Sequence, residues 1–301
     1  MKRLLLRLFY FAIIIIFVDQ VSGKIFDYIN EHQKGGYIQQ LNYALNESHE
    51  DILIFGSSRC YNHYVPRIIS DSLGMSCYNC GYEGEGILFH YGRIRKILNR
   101  YKPKLIIYDV EPYFDYLGAD DEKYLKHLMP FVSSDTCIAN YFKEFSLMEY
   151  LKTKSKLYCY NTIFTDVIKG YMGGHKNEEN GYVPAEGCLA KDSKPSDDYS
   201  GVITYDSVKM GYMKKMVHLC KKNNVKLVFF VSPRYKLKSD RILDRLRAFC
   251  KDENVPLYAM LANNYISEDY RMFANSGHLN KDGARAYSQY VVKKIKCLGV
   301  D

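Results

Sequence analysis

Tryptophan is absent from this 301-residue chain, charges of one sign never form a long run, and the longest uncharged apolar stretch covers 11 residues. Lysine and arginine outnumber aspartate and glutamate by 42 to 34, a net charge of +8. The bases nevertheless come as short groups, Lys2-Arg3, Lys214-Lys215 and Lys221-Lys222. A nucleic-acid footprint needs clustered charge, so these pairs read as solvated helix faces and no nucleic-acid partner is expected. Cys77 and Cys80 form a lone Cys-x-x-Cys with neither a second pair nor a histidine at zinc spacing. No metal or other cofactor is expected. No internal repeat is visible. Tyrosine replaces tryptophan as the abundant ring, at 29 residues; it could stack on sugars or reflect coding bias. Nine cysteines are an odd number, so at least one stays unpaired within a monomer even where export permits disulfides. Small apolar residues packed in strands and helices are the plainer reading of them.

What is present begins at the N-terminus. Lys2, Arg3 and Arg7 lead into an apolar run that ends at Val18. Its uncharged part, Leu8 to Val18, suits the core of a signal peptide, with Val21-Ser22-Gly23 as a small-residue cleavage site. Counted from Leu4 to Val21, with Arg7 snorkelling to the cytoplasmic side, it suits a short membrane anchor. Both readings export the rest of the chain, either anchored in the membrane or secreted after cleavage near Gly23. Residues 1–23 are thus a targeting segment and 24–301 the main domain.

Residues 24–50 predict a helical lead-in. Short apolar runs then recur: Asp51 to Phe55, Met75 to Tyr78, Leu105 to Tyr108, Lys226 to Val231 and, more weakly, Val255 to Leu261. Runs of this length predict strands buried on both faces. Between them Gly86 to Tyr101, Tyr205 to Asn223, Ser239 to Asp252 and Lys281 to Lys296 carry apolar residues at helical spacing. The alternation predicts an α/β fold with a doubly wound, mostly parallel sheet flanked by helices. Active sites of such sheets lie at the carboxyl ends of the strands. Residues 112–200 break the rhythm, with a helix predicted from Phe142 to Tyr158 and a long loop from Gly173 to Ser200. They read as an insertion after the third strand that covers or shapes the site edge.

Gly56-Ser57-Ser58-Arg59 stands where the first strand turns into a helix. Glycine permits a tight turn there, and backbone N–H groups at the turn favour developing negative charge. Near the other end, Asn275-Ser-Gly-His278-Leu-Asn280-Lys-Asp-Gly283-Ala284 precedes the last helix. Together these two motifs resemble the SGNH/GDSL hydrolases. The likeness is strongest to a membrane-anchored, extracytoplasmic bacterial subgroup with Gly-Ser-Ser-Arg and His-Leu-Asn-x-x-Gly-Ala, many linked to cell-surface polysaccharides. It spans roughly residues 50–110 and 225–298.

The resemblance implies that Ser58 is the nucleophile and His278 its general base, because a serine hydroxyl needs an adjacent base and imidazole titrates near neutrality. Asn79-Cys80-Gly81, followed by Gly84 and Gly86, resembles the family's second motif. The N–H groups of Gly81 and Ser58 would then form an oxyanion hole. Two positions depart from the pattern. Asn275 replaces the aspartate that normally orients the histidine and stabilises its cation. Asp109, in Tyr108-Asp-Val-Glu-Pro112, stands where an asparagine would face the oxyanion; pairing with Arg59 or capping of nearby backbone is the expectation. Asp282 and Gly283 read as capping and packing residues, and Arg234 as facing the same edge, in an ion pair or toward an anionic substrate.

The implied function is an acyl-ester hydrolase or O-acyltransferase acting on a surface polysaccharide or other acylated glycan. Asn275 and Asp109 support an alternative, a catalytically weak protein that binds glycan or supports an envelope assembly. Lipid hydrolysis is remote, since a Gly-x-Ser-x-Gly elbow is absent at Ser58.

Overall fold

The computed structural model describes residues 1–117, 125–173, 180–196 and 204–299. The chain divides into two compact units, Met1–Asn42 with Leu125–Lys176, and Tyr43–Tyr124 with Asn177–Asp301. In chain order, α1 (Lys2–Glu31) and α2 (Gly36–Asn42) open the first unit. The second follows with β1 (Ile52–Phe55), α3 (Ser58–His63), α4 (Pro66–Leu73), β2 (Cys77–Asn79), α5 (Ile87–Arg100) and β3 (Leu105–Asp109). The chain then supplies α6 (Thr136–Phe145), α7 (Leu147–Lys152), α8 (Lys156–Tyr160) and α9 (Phe164–Tyr171) to the first unit. It completes the second with α10 (Ser207–Lys222), β4 (Lys226–Val231), α11 (Asp244–Asp252), β5 (Leu257–Ala259), β6 (Phe273–Asn275), β7 (His278–Leu279) and α12 (Lys281–Lys296).

In the second unit, β1 to β5 form a parallel sheet in the order β2-β1-β3-β4-β5. β1 and β3 are buried along their whole length, as continuous apolar strands require. Alternate side chains serve opposite faces. Ile52, Ile54, Leu105, Ile107, Val228 and Phe230 join one core with Tyr287, Val291 and Ile295 of α12. On α12 the buried residues Gly283, Ala284, Tyr287, Ser288, Val291, Val292 and Ile295 form the helical stripe that meets this core. Asn280 caps that helix by accepting from the N–H groups of Asp282 and Gly283, with Asp282 in the first turn and three lysines in the last. A Cβ on Gly283 would come within 2.1 Å of the Met272 carbonyl, so this glycine packs tightly against the β6 approach. The sheet order reverses between β1 and β3, which opens a crevice at their carboxyl ends.

The predicted strands and the four long helices are present, with local differences. Only Leu257–Ala259 of the fifth strand pairs, at the sheet edge. The third helical pattern starts at Asp244, after a short 3-10 turn at Arg241–Leu243. The chain between Ser58 and Leu73 folds as two short helices because Pro66 opens α4 and bars the preceding residue from helical geometry. The single helix expected from Phe142 to Tyr158 is instead cut into pieces. Ser146 accepts from the Glu149 N–H and Ser155 from the Tyr158 N–H, so each starts a new helix. Of the insertion, residues 118–124, 174–179 and 197–200 lie outside the described residues, and Leu125–Lys176 belongs to the first unit.

In that unit, α1 runs unbroken through position 23, so no structural boundary falls there. It is long and apolar enough to cross a membrane by length and composition, with a mean hydropathy of 2.2 in its most apolar window and no residue of that window buried. All nine cysteines are free thiols, and only Cys188 and Cys297 are exposed.

The turn after β1 makes a strict demand on residue type. Gly56 has φ +151°, and a Cβ there would lie 2.8 Å from the Asp109 carbonyl oxygen and 2.7 Å from Cys60 Cβ. Gly56→Ala should lower the unfolding free energy by about 1–3 kcal/mol, through backbone strain and displacement of β3. Denaturant titration of the detergent-solubilised chain measures this; an unchanged midpoint would show that the turn relaxes freely.

Candidate active site

Ser58 begins α3 directly after the Gly56 turn, at the carboxyl end of β1. His278 opens β7, which pairs antiparallel with β6 just before α12. Although 220 positions apart in sequence, Ser58 Oγ and His278 Nε2 lie 2.8 Å apart. Asn275, at the end of β6, decides which nitrogen of His278 carries the proton. Its Oδ1 accepts from the backbone N–H groups of Gly277 and His278, both at 3.0 Å. Two N–H donors can point only at an oxygen, so the amide orientation is fixed. The same oxygen lies 3.0 Å from His278 Nδ1. Nδ1 therefore carries the proton and donates, leaving the Nε2 lone pair to accept from the Ser58 hydroxyl. Asn275 thus holds the productive tautomer.

Burial lowers the pKa of His278 below its ordinary 6.5, and the nearby Arg59 and Arg234 guanidiniums add to the effect. Glu111 opposes them. Its Oε1 lies 3.5 Å from Arg59 Nη1 and 3.3 Å from Arg234 Nη2, and Ser57 Oγ lies 3.5 Å from its Oε2. Arg234 thus forms an ion pair at the crevice, facing the edge the sequence indicated.

Beneath this layer sits a polar cluster that the sequence reading missed. Arg59 is buried and does not pair with Asp109; both grip Ser232, just after β4. Arg59 donates from Nε to Ser232 Oγ at 3.1 Å and from Nη2 to the Ser232 carbonyl. Asp109 accepts from the Ser232 N–H at 3.1 Å, from Ser232 Oγ at 3.2 Å and from the Tyr64 hydroxyl at 2.6 Å. Of the two roles expected for Asp109, it takes the capping one. Its carboxyl is pushed up to about 6, by burial first, with Arg59 pulling the other way.

His63 completes the cluster. Its Nε2 accepts the Leu279 N–H at 2.9 Å, so Nδ1 is the protonated nitrogen and donates to Ser232 Oγ at 2.9 Å. One histidine ring thereby ties the helix bearing Ser58 to the strand bearing His278. Burial drives its pKa well below 6.5, with Arg59 adding to the effect. A single histidine on a short helix carries no sequence signal that would mark this role.

Gly81 is not brought to the site. Its N–H donates to Asn79 Oδ1 at 2.8 Å, and a Cβ would lie 2.5 Å from the Tyr61 nitrogen. Gly81 is therefore a close-packing residue with its donor already used, and the expected oxyanion role is corrected. Asn79 likewise braces α3, donating to the Cys60 and Tyr64 carbonyls at 2.8 and 3.0 Å. The pocket beside Ser58 and His278, about 320 Å³, is lined instead by Gly84, Glu85 and Gly86 of the same glycine-rich segment, with Glu111, Tyr113, Phe114 and Arg234. Ser58 is the first residue of α3, whose N-terminus has no side-chain cap.

Ring ¹⁵N NMR of the full chain in micelles should find His63 and His278 both neutral at pH 7, with the proton on Nδ1. His278 should take up its proton only below pH 6.5, since its pKa is lowered, and His63 only further into acid. His278→Gln and His63→Gln assign the signals. A His278 proton on Nε2 would leave Ser58 without a base.

No protein-family model matches the chain, and no curated protein matches it significantly. Among solved structures it is similar to a proposed lipolytic protein of G-D-S-L family from Desulfitobacterium hafniense DCB-2, with 9% identity, a TM-score of 0.42, and 80% of this chain and 97% of that chain covered. It is also similar to a proposed acylhydrolase from Bacteroides fragilis NCTC 9343, with 11% identity, a TM-score of 0.39, and coverage of 81% and 86%. These likenesses are distant, and what the pocket can do follows from its own side chains.

Proposed function

We propose that this chain is an exported, membrane-attached serine hydrolase or acyltransferase that cleaves acyl esters on a cell-surface glycan. The observation that carries the reading is the 2.8 Å contact between Ser58 Oγ and His278 Nε2, with Asn275 holding the ring in the tautomer that can accept a proton. His278 takes the serine proton as Ser58 Oγ attacks the ester carbonyl, then returns it to the leaving alcohol. Water or a sugar hydroxyl then resolves the acyl-enzyme, giving hydrolysis or transfer. A pocket of about 320 Å³ lies at the small end of ligand sites, which favours a short acyl group over a lipid chain. Tyr113 and Phe114 on its wall offer rings to a sugar face.

The electrostatics have two sides. The Arg59 and Arg234 guanidiniums favour the developing oxyanion but oppose the imidazolium formed in the same step. Asn275 orients the ring without neutralising that cation. Glu111 and Glu83 are the carboxylates that favour it. A second reading, a glycan-binding protein of weak activity, draws support from the occupied Gly81 N–H and the lack of charge on Asn275.

A fluorophosphonate probe should label the protein at Ser58, and Ser58→Ala or His278→Ala should lower cleavage of a generic acetyl ester by about 10³-fold or more. No labelling and no cleavage would favour the binding protein. In the active enzyme kcat/KM should fall as pH drops through the lowered pKa of His278, because the protonated ring is no base. Asn275→Asp should move that acid limb to higher pH, since a carboxylate stabilises the cation, and raise the plateau rate by about tenfold. An unmoved limb would mean that another carboxylate already serves His278.

A further inference from the structure

The first unit carries exposed apolar side chains on α7 and on α8, and α8 meets α1 where α1 leaves folded structure. Every residue from Met1 to Val18 is exposed, and the helix enters folded structure at Asp19. Asp19 accepts from Ser155 Oγ at 2.6 Å and from the Lys156 and Leu157 N–H groups at 2.9 and 3.0 Å, capping α8. Farther along α1, Gly23 is buried so closely that a Cβ would lie 2.1 Å from Lys156 Cβ. Asp27 binds Lys156 Nζ and the Tyr160 hydroxyl, each at 2.7 Å, and Phe26 stacks on Tyr160. The segment Val21-Ser22-Gly23 therefore belongs to a packed helix pair, whereas a cleavage site would have to be exposed and extended.

The helix is also short for its task. Residues 1–18 span about 27 Å at 1.5 Å per residue, hardly the thickness of a bilayer core of about 30 Å. Since folded structure starts at Asp19, no linker separates it from the membrane. The neighbouring surface suits such a position. Leu147, Met148 and Leu151 of α7 are 64%, 62% and 49% exposed, and Leu157, whose N–H binds Asp19, is 39% exposed. Lys143, Lys152 and Lys154 flank them, with Lys143 and Lys154 over the Tyr150 ring. Exposed apolar side chains bordered by lysines are the pattern of an interfacial segment on anionic lipid.

We propose that α1 is retained as an anchor and that α7 and Leu157 sit in the membrane interface, which holds the first unit directly on an anionic lipid surface. The proposal rests on the reading of α1 as an anchor. The partner is the bilayer, recognised by apolar contact and by lysines at the headgroup level.

The natural lack of tryptophan allows a direct test. Leu151→Trp and Met148→Trp place a single indole at exposed positions of α7, and N-acetyltryptophanamide in the same buffer is the water-exposed reference. The full chains are reconstituted in vesicles of phosphatidylethanolamine and phosphatidylglycerol containing lipid with a shallow spin label. Intact mass should show residues 1–23 present. The α7 indoles should emit to the blue of N-acetyltryptophanamide and lose about half their intensity to the label, with N-acetyltryptophanamide little changed. Protein washed from membranes by carbonate would overturn the anchor and the seat together. Chains truncated after Gly23 would overturn retention. Vesicle-bound protein whose α7 indoles are quenched no more than N-acetyltryptophanamide would overturn the interfacial seat and leave the anchor standing.

Discussion

Arg59 carries a full positive charge into a place with almost no water, at 2% exposure, and the residue before it is Ser58. A buried guanidinium is tolerable only if its charge and its donors are met. The chain meets the charge and the Nε and Nη2 donors from two other strand ends, while Nη1 makes an ion-pair contact without a hydrogen bond. Ser232 after β4 receives two of its hydrogen bonds, and Glu111 after β3 supplies the counter-charge. This requirement fixes the rotation of α3 and holds the carboxyl ends of β1, β3 and β4 together. Ser58 takes its direction from the same helix. Asp109 and His63 share Ser232 with Arg59, so its hydroxyl serves three side chains at once. Loss of any member would leave a buried polar group unmet, which costs more than the lost bond itself.

From this cluster the order passes to His278. The Leu279 N–H donates to His63, so the residue beside the base is fastened to the helix that carries the nucleophile. Asn275 then fixes the ring from the other side through three contacts on one oxygen. Both anchors are neutral. The base is therefore well oriented and kept unprotonated near neutrality, in a pocket where guanidiniums lie close and the nearest orienting group carries no charge. Such a site favours proton acceptance by geometry and offers less help to the cation that follows.

Burial explains why the two strongest polar clusters differ in use. In the sheet unit, buried charge organises a reactive pair. In the first unit, Asp19 and Asp27 use α1 to hold α8. The apolar part of α1 therefore begins where the packed part ends, and one helix serves two environments.

How much of this was legible in the sequence depended on how local the cause was. The parallel sheet could be read from short apolar runs, because strands buried on both faces leave no polar alternation, and α12 from its apolar spacing, although its cap is Asn280 and not Asp282. Ser58 and His278 could be named because their two motifs together resemble those of the SGNH/GDSL hydrolases. The breaks at Ser146 and Ser155 were misread, since a serine within an amphipathic pattern is a cap only if its side chain turns back to the following backbone. Gly81 was assigned a donor role that depends on where its N–H points, and Asn79, two residues away, takes that donor. His63, Ser232 and Glu111 carried no local signal at all. Their roles exist only because β1, β3 and β4 bring to one place residues that lie up to 169 positions apart in the chain. Sequence by itself determined the strands, the long helices and the chemical types at the reactive pair; the tertiary structure alone decided which polar groups would share a buried space, because desolvation acts on neighbours in space and not in sequence.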